Sequence, residues 1–110
     1  MNKVKKQEQE VINYVSKNLY DMAMSESATT AKKRLNKCYA WVYETENFYV
    51  LQSYKTVVAV IEKGSDILAD VLRLVYGYTI SSAQQIAKFR RAYGIDKKGC
   101  KIEYRYYPVN

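Results

Sequence analysis

Within residues 3–24, Val4, Glu8, Val11, Ile12, Val15, Leu19 and Met22 fall near one side of a helical wheel, a stripe broken only by Glu8. Lys6, Gln9, Asn13 and Lys17 lie elsewhere on it. Spacing by three and four marks an amphipathic helix, so the chain is expected to open on one. The polar run 25–30 breaks it, and residues 30–36 are expected to resume as a short helix with Lys32, Lys33 and Arg34 outward. The period then drops to two. Tyr39, Trp41 and Tyr43 alternate with Ala40 and Val42, and after a turn at 44–47 Phe48, Val50 and Gln52 alternate with Tyr49, Leu51 and Ser53. Residues 56–61 are almost all β-branched. In 67–76, Ala69, Val71, Arg73 and Val75 alternate with Leu68, Asp70, Leu72, Leu74 and Tyr76. Alternation between turns predicts consecutive antiparallel strands. Gly64 suits a hairpin loop over 62–66. Tyr54-Lys55 lacks Gly and Asn, which leaves a tight turn or one bent strand. Residues 67–73 also fit helical spacing, with strand the preferred reading.

Residues 82–93 carry the clearest helix pattern. Ser81-Ser82-Ala83-Gln84 reads as a capping box; Ile86, Phe89 and Tyr93, helped by Ala83, form the apolar stripe. Gly94 is expected to stop the helix in the left-handed conformation, with Arg90 and Arg91 at the favoured end of the dipole. After a turn at 96–99, Ile102, Tyr104 and Tyr106 alternate with Lys101, Glu103, Arg105 and Tyr107, and Pro108 ends the strand. The order predicts a single α+β domain over residues 1–110. Its antiparallel sheet has about four to five strands, with an N-terminal helix, a helix before the last strand, and the helices on the sheet's buried face. Val11, Val15, Leu19, Trp41, Val50, Val58, Val60, Leu72, Ile86 and Phe89 are expected to be buried. Asp70, on a row with Leu68, Leu72 and Leu74, reads as an edge-strand charge that blocks sheet-to-sheet pairing; a buried functional acid is the other reading.

Composition narrows the function. An apolar share of 48%, with one Pro and four Gly, argues against a disordered or linker chain. The longest strongly apolar stretch, 57–61, is far short of the roughly 20 residues of a membrane-crossing helix. The basic N-terminus is followed by Gln7-Glu8-Gln9-Glu10 rather than an apolar core, so a secretory leader is not supported. A cytoplasmic protein is expected. With no His in the chain, imidazole catalysis and a standard zinc site are both out of reach. The carboxylates sit in or beside turns, and the glycines are isolated rather than gathered into a phosphate loop. No catalytic residue, metal or cofactor is expected. Cys38 and Cys100 read as free thiols of a reducing compartment, with a bridge between them the other reading.

The net charge of +7 is unevenly placed: residues 80–110 hold seven Lys/Arg against two Asp/Glu, whereas 39–79 are slightly acidic. Such asymmetry fits a nucleic-acid or acidic partner. Two candidate surfaces follow. One is a basic helix face of Gln84, Gln85, Lys88 and Arg91, residue types that suit base edges and phosphates. The other is the last strand, where Arg105 and Tyr107 interleave basic and aromatic side chains. A helix-turn-helix over 79–93 fails on context, because the preceding segment reads as a strand.

The stretch 48–60 (Phe-Tyr-Val-Leu-Gln-Ser-Tyr-Lys-Thr-Val-Val-Ala-Val) and the stretch 76–89 (Tyr-Gly-Tyr-Thr-Ile-Ser-Ser-Ala-Gln-Gln-Ile-Ala-Lys-Phe) resemble small uncharacterised accessory proteins of phages and plasmids of Gram-positive bacteria. The shared elements are a Ser-Tyr-x-Thr strand, a later Tyr strand and a Thr-Ser-entered helix with an Ile-x-x-Phe pair. Where such proteins often carry His near the start of that helix, this chain has Gln84 or Gln85. The resemblance implies a mobile-element protein in a bacterial host. Some proteins of that origin inhibit host defences such as CRISPR nucleases by binding alone. The expected function is therefore a non-enzymatic binding module for nucleic acid or a host nucleoprotein, in the manner of an anti-CRISPR inhibitor. The alternative is a protein–protein or self-assembly module using the Tyr-rich sheet, for which a homo-oligomer is the natural form.

Overall fold

Helical spacing at the start, period two through the middle and a second helical stretch late in the chain give the observed order of elements. The structure, a computed structural model, describes residues 6–35, 39–72, 80–94 and 99–106. The elements run α1 (Lys6–Ser25), β1 (Lys33–Arg34), β2 (Ala40–Glu44), β3 (Phe48–Ser53), β4 (Thr56–Glu62), β5 (Ile67–Asp70), α2 (Ile80–Tyr93) and β6 (Ile102–Arg105). The six strands lie side by side in chain order. Neighbours from β1 to β5 pair antiparallel, whereas β6 pairs parallel to β5. That last pairing needs a crossover, which the chain between β5 and β6 provides and which includes α2. The α+β class holds, with one or two strands more than expected.

Side chains alternate across the sheet, and each face has its own core. Phe48, Val50, Val60 and Ala69 pack with Leu19 and Ala23 of α1. Leu51, Ala59, Ile61 and Leu68 pack with Ile86 and Phe89 of α2. The helices therefore cover opposite faces rather than sharing one. This follows from the parallel β5–β6 pair, whose intervening helix lies across the face opposite α1.

The buried side of α1 is rotated from the apolar stripe. Ser16, Leu19 and Ala23 are buried, whereas Val11 is 61% exposed and Met22 42% exposed. Ser16 and Ala23 are small, so a helix resting on them approaches the sheet closely; a count of large apolar residues gives them no weight. Among the expected core, Leu19, Val50, Val58, Val60, Leu72, Ile86 and Phe89 are buried, Val15 and Trp41 half-buried, and Val11 exposed.

Residues 30–35 form no helix. The segment runs extended beside β2, with Lys33 opposite Val42 and Arg34 opposite Trp41. Thr29 N–H donates to the Glu44 carbonyl (2.8 Å), Glu44 N–H to Thr30 Oγ1 (2.9 Å), and Leu35 N–H to the Ala40 carbonyl (2.8 Å). These bonds satisfy an edge of β2 that would otherwise lie open. Tyr54-Lys55 is a tight two-residue turn, with Ser53 opposite Thr56. A bulge at Val58 interrupts the β3–β4 register, and the Val58 carbonyl accepts from Val71 N–H (2.9 Å).

Strand β5 ends at Asp70, short of the expected 76; residues 73–79 lie outside the described residues. With β4 on one side and β6 on the other, β5 is not an edge, so Asp70 is no edge-strand charge. Asp70 is buried, and its Oδ1 accepts from Leu72 N–H (3.1 Å), turning the chain out of the strand. Helix α2 begins at Ile80, so its cap falls before the expected Ser81 box and outside the described residues. Gly94 does not take positive φ. Its need for glycine is steric, since a Cβ there would lie 2.7 Å from the Arg90 carbonyl oxygen and 2.8 Å from the Gly99 carbonyl carbon. No helix among the described residues is long and apolar enough to cross a membrane.

Candidate functional site

The basic surface expected on α2 and β6 is only partly assembled. Gln84 and Arg91 are exposed and Lys88 is half-buried, whereas Gln85 is buried and does not belong to that surface. Gln85 stands one position before Ile86 on the side of α2 that meets the sheet, which is why spacing alone misplaced it. Arg105 ion-pairs with Glu103 (3.0 Å), and Arg90 of α2 pairs with the other oxygen of the same carboxylate. The Arg90 guanidinium ties α2 to β6. Tyr107 lies outside the described residues.

A different surface forms on the face that α1 covers. The helix packs across β4, β5 and β6 and over Phe48 and Val50 of β3, and the part of that face around Trp41 and Gln52 stays more open. By alternation, Trp41 and Tyr43 of β2 and Gln52 of β3 point to this side, Gln52 directly opposite Trp41. Lys32, Trp41, Gln52, Tyr54, Lys55 and Thr56 line a hollow of about 720 Å³. Trp41 is half-buried, and its ring has no aromatic or cationic partner among the described residues. At the turn, Tyr54 stacks on Tyr39 with centroids 5.8 Å apart and planes 10° apart, and the Arg34 guanidinium lies 5.4 Å from the Tyr39 ring centroid. Lys32 Nζ lies 5.9 Å from the ring centroid of Tyr43.

The charge here favours an anion. Among the described residues, neither Lys32 nor Lys55 pairs with a carboxylate and none that lines the hollow is acidic. Burial, and then the neighbouring Tyr20, pushes the Tyr43 phenol above its ordinary pKa, so it stays neutral at physiological pH. Glu26 lines a smaller hollow of about 410 Å³ beside Tyr43. It accepts from the Asn47 side chain (2.8 Å) and backbone N–H (3.0 Å), and bonds of this kind hold its pKa down. This carboxylate marks the end of the cationic surface.

Tyr54 has φ of 55°, a left-handed conformation that costs an L-residue with a Cβ roughly 1–2 kcal/mol. Tyr54→Gly removes that cost and adds back part of it as chain entropy, about 0.5–1 kcal/mol. The variant is expected to melt at or above the wild-type temperature. A marked fall in melting temperature would contradict this.

The sequence reading placed Trp41 in the core and did not single out Gln52, Lys32 or Lys55. The available signal was a polar Gln52 in an otherwise apolar strand, in phase with Phe48 and Val50. Elsewhere, Cys100 is a free thiol and Cys38 lies outside the described residues. Burial, then Asp66 and Glu103, pushes the Cys100 thiol up to about 12. Only the thiolate reacts quickly, so the peptide carrying Cys100 is expected to alkylate much more slowly in the folded protein than in urea near pH 8. Equal rates by mass spectrometry would contradict this. Among the described residues no cluster of His, Cys, Asp or Glu could hold a metal ion.

Comparison with known proteins adds no relative. No family model, curated protein or solved structure matches the chain.

Proposed function

We propose that this protein is a binding module for nucleic acid and that its contact surface is the part of the sheet around Trp41 and Gln52. The observation that carries the reading is the hollow where Trp41 and Tyr54 meet Lys32 and Lys55, cations that pair with no carboxylate among the described residues. Aromatic faces that stack on bases, set among cations that hold phosphates, are the two components of sequence-tolerant nucleic-acid binding. The net charge of +7 adds long-range attraction to the same partner.

Fluorescence anisotropy with labelled DNA and RNA at a series of salt concentrations tests the proposal. Lys32 and Lys55 each displace counterions on meeting a phosphate. For two contacts on a single strand, log K is expected to fall against log salt with a slope of about −1.4. Absence of binding to DNA and RNA at low salt would overturn the proposal. Capture of a host protein that survives nuclease would then identify the Tyr-rich sheet as a protein interface.

A further inference from the structure

We infer that the Trp41 hollow is a base-stacking site and that the nucleic acid recognised is single-stranded. The inference rests on the nucleic-acid reading and narrows it to a strand with unpaired bases. A duplex engages a cationic surface through its phosphates, while its bases stay paired and stacked within the helix. Such a surface needs no accessible aromatic face. Here the sole tryptophan is half-buried in the lining of a hollow, its ring unmatched by any described aromatic or cation. An unpaired base can enter a hollow of about 720 Å³ and lie against that ring.

The remaining lining supplies what a stacked nucleotide requires. Gln52 stands across from Trp41; its Nε2 donates to the Tyr54 carbonyl (3.0 Å), and its amide oxygen is the group offered to a base edge. Lys32 from the β1 side and Lys55 from the β3–β4 turn supply charge for the flanking phosphates. The Arg34–Tyr39–Tyr54 stack holds the wall at the turn. With no acidic side chain among the described residues of the lining, a strand can approach without charge repulsion from them.

Because Trp41 is the only tryptophan, its emission reports on this site directly in the wild-type protein. The probes are a short oligothymidylate, an abasic strand of equal length, and a duplex of equal length. Each is titrated by tryptophan emission and, with an end label, by anisotropy. Oligothymidylate is expected to quench Trp41 and to bind roughly 5- to 150-fold more tightly than the abasic strand, the range expected of one stacked base. The abasic strand and duplex are expected to bind through charge and leave the emission unchanged. Equal affinity for the abasic and base-bearing strands, or binding of oligothymidylate with unchanged emission, would overturn the stacking site and leave the electrostatic surface standing. No anisotropy change with any probe would overturn both.

Discussion

Replacing Phe89 with alanine is expected to cost about 3–5 kcal/mol of stability, the range for truncating a buried phenylalanine. Phe89 is fully buried where α2 meets the sheet, packed with Leu51, Ala59, Ile61, Leu68 and Ile86, and its ring lies 5.5 Å from that of Tyr93. The surrounding strands are fixed by their own ladders and cannot close the space. Domains of this size have a total stability of only about 5–15 kcal/mol, so the variant should unfold at far lower urea than the wild type. Urea denaturation followed by circular dichroism provides the measurement. A loss under about 1 kcal/mol, far below the buried-phenylalanine range, would place this face of α2 outside the core.

Trp41→Ala is expected to leave the fold in place and remove most of the affinity for a single strand. Loss of one stacked base costs about 1–3 kcal/mol, or roughly 5- to 150-fold in affinity. No cation is removed, so the salt slope should be unchanged. Lys32→Ala should behave in the opposite way, with a moderate loss of affinity and a slope flatter by about 0.7. Anisotropy titrations of both variants at several salt concentrations separate the contributions of base and phosphate. A Trp41→Ala variant with wild-type circular dichroism and wild-type affinity would exclude the ring from the interface.

The legible parts of the fold were those written in one strong period. Strands β2 to β4, the Gly64 loop and the Ile86–Phe89 pair of α2 stand where alternation and helical spacing put them. Helix α1 was legible as an element but not in its facing, because Ser16 and Ala23 bury themselves through smallness rather than hydrophobicity. Strand β1 left little trace in two exposed basic residues, Lys33 and Arg34, held by bonds to a distant strand. The parallel placement of β6 is a matter of topology that no local pattern encodes. The site was hidden for the same reason. Trp41 reads as a core residue until α1 is seen to cover the other end of its face. Arg105 reads as free charge until Glu103 is seen to share its carboxylate between Arg105 and Arg90.

The most direct test sets two charge reversals against each other in one single-strand binding assay. Lys32→Glu with Lys55→Glu alters the sheet face around Trp41; Lys88→Glu with Arg91→Glu alters half-buried Lys88 and exposed Arg91 of α2 across the sheet. All four substitutions lie in regions where the wild-type fold is expected to persist, and circular dichroism verifies it. The sheet-side double variant is expected to lose binding almost completely, and the helix-side variant to lose only the modest share that a change in net charge removes. Full binding by the sheet-side variant together with loss in the helix-side variant would contradict the account and return the interface to Lys88 and Arg91.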